Sequence, residues 1–334
     1  MIENVILHLV NLSITDSNYA SNWKSQLVLP FYKKKDPLDG KNYRPVSHII
    51  EIGKIVEKVV FEQTYDHFVS NDIFHPNHHG FIGNHSCDTA FIQLYDMWLE
   101  AAENQELTGA VLLDLSAAFD IVDHSIFLRK LEAYKFHPQT IEWFRSYLSE
   151  RRQVVQVESK LSEYIQLGNY SVPQGSILGP LIFLIFNNDF PDSTEEGESV
   201  LFADDDTDNV KDSDPDSLQT KIQNEALRST DWVANNRMVC AGDKTKLLII
   251  GTKQLRLSKL TSQNKLISVN VCNNHVESCH SEKLLGLIVN EEMSWKDHLY
   301  GEKWREEDNA PNSKAIPKGW SPIPTGKPSV TKGF

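Results

Sequence analysis

Two short apolar runs in this chain end in aspartate: Ala110-Val111-Leu112-Leu113-Asp114, and Ser199-Val200-Leu201-Phe202-Ala203-Asp204-Asp205-Asp206. Runs of this length, rich in β-branched and aromatic residues, read as buried strands, so each lifts a carboxylate to the rim of a sheet. Taken singly, an aspartate just past a strand is usually a turn or helix-capping residue, because its side chain bonds nearby backbone amides. On neighbouring strands the two sets meet instead, and converging carboxylates repel and desolvate one another unless cations lie between them. Hard oxygen donors of this kind suit Mg²⁺, and the number of carboxylates leaves room for two ions. A calcium loop of the EF-hand kind does not fit. It needs Gly at its sixth position and Glu at its twelfth; from Asp204 these fall on Asn209 and Pro215, and from Asp212 on Ser217 and Gln223.

With 334 residues, 40% of them hydrophobic and 24% charged, the chain can bury a sizeable core in one large or two smaller domains. The longest nearly unbroken apolar stretch, residues 177–186, is too short to span a bilayer, and Met1-Ile2-Glu3-Asn4 lacks the basic start of a signal peptide. The expectation is an intracellular protein without a membrane partner; nucleus and cytoplasm are not distinguished. Four scattered cysteines read as free thiols rather than a disulfide framework. Cys272, His275, Cys279 and His280 lack the two spaced pairs of a structural zinc motif and sit in alternating strand or hairpin sequence. The net charge of -13 opposes binding to phosphate-rich partners, but basic residues cluster at Lys33-Lys34-Lys35, at Arg151-Arg152 and from Lys244 to Lys259.

Periodicity predicts a strand over 26–32, a helix over 47–69 capped by Ser47, a helix over 89–102, the strand 110–113, a helix capped by Asp123 and ending near 134, and a helix over 138–148. A hairpin over 153–158 and 164–167 follows, then a buried helix over 175–186, the second aspartate strand, a helix over 217–235, and strands over 246–250 and 284–289. That order predicts an α+β fold, an antiparallel sheet of the split βαβ (ferredoxin-like) kind with helices on one face. Residues 301–334 carry five prolines among Gly, Lys and Ser with no hydrophobic period and are expected to be disordered.

Four segments then occur in order: Asn42-Tyr43-Arg44-Pro45-Val46-Ser47, Leu113-Asp114-Leu115-Ser116-Ala117-Ala118-Phe119-Asp120, Pro173-Gln174-Gly175-Ser176-Ile177-Leu178-Gly179-Pro180 and Phe202-Ala203-Asp204-Asp205. With Lys244-Thr245-Lys246 and Leu285-Gly286-Leu287 downstream, residues 20–300 resemble the reverse transcriptases of non-LTR (LINE, jockey-like) retrotransposons. The resemblance implies a right-hand polymerase: a helical lead-in over 1–22, fingers over 23–108 and 150–172, palm in the rest of 23–300, and the tail 301–334, with the thumb absent. It implies RNA-directed DNA synthesis, adding dNTPs to a DNA primer 3′-hydroxyl along an RNA template with two Mg²⁺ ions, for which Mn²⁺ can substitute.

Residue by residue, Asp114 and Asp204 match the family's two principal metal ligands and Asp205 the second member of the aspartate pair. Phe119 matches the aromatic residue beneath the incoming sugar, where a ring collides with a 2′-hydroxyl; read without its neighbours, it is a core residue. Gln174 and Gly175 match residues that contact the nucleotide, Arg44 a finger residue that forks onto phosphate, and Lys244 the general acid for the leaving pyrophosphate, with Lys246 close by as a rival. The chain departs from the pattern at Ile82 and His85, where similar proteins carry arginine, and at Asp206, an extra acid read as a turn residue. Endonuclease and thumb regions are expected to be missing. The alternative is a retroelement remnant that only binds metal or nucleic acid.

Overall fold

Residues 2–33 and 36–299 are described by the structure, a computed structural model. The proline-rich tail and two of the three clustered lysines, Lys34 and Lys35, lie outside the described residues. The elements run α1 (Ile2–Thr15), β1 (Ser25–Tyr32), β2 (Tyr43–His48), α2 (Glu51–Ser70), α3 (Cys87–Glu103), β3 (Leu107–Asp114), α4 (His124–Ala133) and α5 (Pro138–Leu148). They continue through β4 (Arg152–Val157), β5 (Lys160–Leu161), β6 (Ile165–Gln166), α6 (Leu178–Asn187), β7 (Gly197–Phe202), β8 (Asp205–Asp212), α7 (Pro215–Asn235) and β9 (Lys246–Ile250). After α8 (Lys253–Lys259) come two hairpins, β10 (Ser268–Val271) with β11 (Asn274–Glu277), and β12 (Ser281–Leu284) with β13 (Leu287–Asn290).

Both aspartate runs become strands of one antiparallel sheet in the order β7-β8-β3-β9. This is the split βαβ arrangement, with β3 central because it is the most continuously apolar strand. Its alternate residues feed two cores: Val111 and Leu113 join the cluster under α4, α6 and α7, while Ala110 joins Ala90, Phe91, Leu94 and Trp98 of α3. The sheet is therefore covered by helices on both faces, where the sequence pattern placed them on one. α7 approaches closely at Gly109, where an added Cβ would stand 2.1 Å from the Ile222 side chain. A second sheet, β2-β1-β4-β5 with β6 also on β4, joins two distant stretches through the parallel β1–β4 pair.

Several local expectations hold for the reasons given. Asp123 caps α4, its carboxylate accepting from the Ser125 and Ile126 amides, and α6 is buried along nearly its whole length. Others are corrected. Ser47 does not cap a helix: Pro45 and the ladder to β1 extend that stretch as β2, α2 starts at Glu51, and the Ser47 amide donates to the Gln174 carbonyl. Residues 284–289 are not one strand but the end of β12, a two-residue turn and the start of β13, with Leu285 and Gly286 of the turn both at positive φ.

Asp206 is the larger correction. It is not a turn residue but the second residue of β8, opposite Leu113 and Leu201, 4% exposed, and neither carboxylate oxygen has a hydrogen-bond partner. Burial holds its carboxyl well above the usual range, with the Asp208 charge adding. An unpartnered buried polar group costs roughly 1–3 kcal/mol. Asp206→Val is therefore expected to raise the melting temperature at neutral pH; unchanged or lower thermal stability would refute the burial.

Asp208, two residues on, accepts from the Ser199 and Ser229 hydroxyls, yet burial pushes its carboxyl up to about 6. A folded pKa above the unfolded one makes a stabilising contribution that is complete below the unfolded pKa and is lost as pH rises through the folded value. On the scale of about 1.4 kcal/mol per pKa unit, the loss is of order 3 kcal/mol. Thermal unfolding followed from the ordinary aspartate range near pH 3.8 up to about pH 6.5 should show this contribution falling as pH rises to the folded value of about 6 and level above it, and Asp208→Asn should flatten the fall.

Candidate active site

The ladder between β3 and β8 sets Asp114 directly against Asp205, and the β7–β8 hairpin sets Phe202 against Asp205. Between them lies a two-residue turn, Ala203-Asp204, with Ala203 at φ 59, a left-handed conformation that normally goes to glycine. The turn delivers Asp204 to the end of the sheet beside the other two carboxylates. Desolvation at the hairpin tip raises the Asp204 carboxyl above its usual range, with the Asp114 charge adding. Asp205 is raised likewise, by desolvation first and then by Asp204 and Asp114.

A second chain segment is stitched to the same strand end. The Ser116 amide donates to the Val239 carbonyl at 2.7 Å, the Ala241 amide to the Asp114 carbonyl at 2.8 Å, and Leu115 bridges Cys240. This turn carries Lys244, whose Nζ lies 3.0 Å from Asp114 Oδ1. The pair is solvent-accessible, so its own contribution to stability is small. Its value here is positional: an ammonium already occupies a cation position on Asp114. A cleft of about 340 Å³ opens at this point, bordered by Asp114, Asp205, Asp243, Lys244, Lys246 and Glu282. A larger cavity of about 450 Å³ between α1, α2 and α5 has no carboxylate in its lining.

The donor set fits a hard divalent cation. Three carboxylates share one strand end, two of them resist ionisation through desolvation first and the charges of the others second, and a cation would favour their charged forms. Among the described residues, no three His, Cys, Asp or Glu side chains already stand together as a closed ligand group. The carboxylates are neighbours rather than a finished cage.

Around this centre the structure arranges the remaining expected residues. Phe119 is half-buried and stacks on Phe183, with ring centroids 4.7 Å apart. Gln174 is held on both sides: its Nε2 donates to Asp120 Oδ1 at 2.9 Å, and its carbonyl accepts from the Ser47 amide at 2.7 Å. Gly175 has φ +110, and a Cβ there would stand 2.6 Å from the Ser47 carbonyl oxygen. Arg44, by contrast, projects into solvent from β2, opposite Phe31.

Sequence reasoning missed Glu57. Fully buried on α2, it accepts through Oε2 from the Ile177 amide at 2.8 Å and through Oε1 from the Tyr147 hydroxyl at 3.2 Å. It thereby ties the start of α6, and the loop 173–177 before it, to α2. Burial raises its carboxyl, against the opposing pull of the Ile177 amide and the Arg151 guanidinium. One signal was legible: Glu57 falls on the stripe Gly53, Val56, Val60, Thr64, Phe68 that α2 buries.

Residues 32–289 match the family model described as reverse transcriptase (RNA-dependent DNA polymerase). The chain is 32% identical over 203 residues to the RNA-directed DNA polymerase from mobile element jockey of Drosophila melanogaster, covering 59% of this chain and 22% of that protein. It is 29% identical over 174 residues to the probable RNA-directed DNA polymerase from transposon BS of the same species, covering 52% and 19%. The chain thus spans about a fifth of the length of these curated relatives. Among solved structures, telomerase from Candida tropicalis in complex with a TWJ fragment of telomeric RNA aligns with a TM-score of 0.54 at 10% identity, over 94% of this chain and 50% of that one. Telomerase from Candida albicans aligns with a TM-score of 0.52 at 11% identity, over 86% and 48%. At such identities the likeness concerns the fold alone, an α+β polymerase fold of fingers and palm.

The Gly175 contact has a direct consequence. Gly175→Ala combines a strained φ with a backbone collision, so the loop must pull away from β2. The expected result is a destabilisation of about 1–3 kcal/mol and faster amide exchange at Ser47. Exchange at Ser47 as slow as in the parent chain would refute the contact.

Proposed function

As this chain belongs to the reverse transcriptase (RNA-dependent DNA polymerase) family, in its jockey-like non-LTR branch, we propose that it adds dNTPs to a DNA primer 3′-hydroxyl along an RNA template. The observation that carries the reading is the pairing of Asp114 with Asp205 beside Asp204, at a strand end where the carboxyls resist ionisation and a lysine ammonium already sits. The β1-β2-β4 sheet is assigned to the fingers and the β7-β8-β3-β9 sheet to the palm.

Asp114, Asp204 and Asp205 would hold two Mg²⁺ ions, or Mn²⁺ in their place. Bound there, the ions supply Lewis acidity to the attacking hydroxyl and charge neutralisation to the departing pyrophosphate. The chain's own side chains do the rest. Phe119 lies under the sugar and excludes a 2′-hydroxyl, while Gln174 and the exposed backbone at Gly175 orient the nucleotide. Lys244, its Nζ 3.0 Å from Asp114 Oδ1, passes a proton to the leaving pyrophosphate as the new phosphodiester bond forms and the old anhydride bond breaks. Arg44 meets the triphosphate from the fingers side. The fixed Ser47–Gln174 bond keeps the nucleotide loop in register with the finger strand that carries Arg44.

One observation favours the binding-only reading, a remnant that holds metal or nucleic acid without synthesis: the unpartnered carboxyl of Asp206 directly follows the aspartate pair and weakens the strand that supports it. Primer extension on an RNA template with Mg²⁺ separates the two. The chain is expected to extend the primer, and Asp204→Asn to slow extension by roughly two orders of magnitude or more, the scale of removing a group that stabilises transition-state charge. No extension by the parent chain, with the nucleic acid still retained on a filter, would leave only the binding reading.

A further inference from the structure

The segment 77–81 runs along the free edge of β7 towards the aspartate hairpin. The Leu201 amide donates to the Asn77 carbonyl at 2.9 Å, the His79 amide donates to the Leu201 carbonyl at 2.8 Å, and His78 forms a parallel bridge with Leu201. Gly80 then lies backbone to backbone on the hairpin tip; a Cβ there would stand 2.2 Å from the Ala203 nitrogen. The segment is pinned on both sides. His79 bonds Thr89 and Gln93 of α3 at 2.9 and 2.7 Å, and the Gly83 amide donates to the Tyr65 hydroxyl of α2 at 2.6 Å.

Phe81, held between these anchors, adopts φ 60, a region that bulky side chains avoid. The residue is 44% exposed, and its ring meets that of Phe119 edge-on, with centroids 6.2 Å apart and planes at 82°. On its other side Phe119 stacks on the fully buried Phe183. Three rings therefore form a row from core to solvent, and the outermost is the one whose backbone is strained. Core packing does not explain it, since a ring placed there for burial would be buried. Strain of this kind is kept where the surrounding structure holds a group for use.

We propose that Phe81 is a specificity-determining residue of the nucleotide site. It closes the solvent side of Phe119 and fixes the angle at which that ring meets the sugar, so rejection of a 2′-hydroxyl belongs to the Phe81–Phe119 pair. This rests on the reading of Phe119 given above. Without Phe81, Phe119 keeps its stacking on Phe183 but loses its outer neighbour, and the ring can tilt away from a 2′-hydroxyl. No new bond to the substrate is needed, because an edge-to-face pair orients its members through the ring quadrupoles.

The test is the ratio of kcat/KM for dNTP to that for the matching rNTP in primer extension, for the full chain and for Phe81→Ala, Phe81→Tyr, Phe119→Ala and the Phe81→Ala/Phe119→Ala double variant. Phe81→Ala is expected to lower the ratio by a few-fold to about tenfold, the scale of one aromatic pair, with its melting temperature unchanged. Phe81→Tyr should keep the ratio, and the double variant should fall no further than Phe119→Ala alone. A wild-type ratio in Phe81→Ala while Phe119→Ala lowers it would overturn the proposal and leave the sugar contact of Phe119 standing. An unchanged ratio in Phe119→Ala, or no extension by the parent chain, would remove the functional reading first and this inference with it.

Discussion

The register of β3 against β8 is the constraint on which the site depends. Successive strand residues point to opposite faces, so a slip of one residue would turn Asp205 away from Asp114 and drive the apolar set of β3 to the wrong face. The register is held from both sides. Val111 and Leu113 are committed to the core under α7, and Trp98 on the opposite face donates to Asn209 of β8 at 2.8 Å. Breaking either alignment would cost more than any electrostatic gain at the exposed end. The carboxylates can therefore be kept close despite their mutual repulsion: the core fixes their positions, and their own interaction energies do not.

A second constraint joins the two sheets. The loop 173–177 bonds β2 through Gln174 and Ser47, packs on it through the missing side chain of Gly175, and is anchored to α2 through Glu57 and Ile177. Each contact is local, but together they leave the loop no independent freedom. Glu57 is costly to bury, and the cost is offset by the Ile177 amide and two tyrosine hydroxyls it satisfies. The arrangement makes the relative placement of Gln174 and the aspartates a property of packed helices, so the reactive geometry need not be rebuilt each time a substrate arrives.

What the amino-acid sequence revealed follows from the range of the forces concerned. The aspartate-ended strands, the Asp123 cap and the helix over 138–148 depend on neighbours a few residues away, and each is present as expected. Ser47 misled because a capping residue and a strand residue look alike until the partner strand is known. Phe81 was silent for the same reason, since it acquires its meaning from Phe119, and Glu57 showed only its place on the buried stripe of α2, not its partner Ile177 far along the chain. Helices on the second face of the sheet were equally hidden, since β3 is apolar on both faces and its pattern does not count the elements that cover it.

The acidic run from Asp204 to Asp208 shows how period two divides a single sequence feature. Asp204 and Asp205 are exposed at the tip, Asp205 bordering the cleft, where solvent or a cation can reach them. Asp206 and Asp208 are on the opposite face of β8 and buried, although Asp206 also borders the cleft, and burial drives both carboxyls towards the neutral form. Asp208 is accommodated because two serine hydroxyls meet it; Asp206 has no such partner. The same residue type is thus poised to carry charge at one position and to lose it two bonds of pleat away. The stability given up at Asp206 falls on the strand that presents Asp205, at the point where the proposed chemistry needs that strand to be stiff.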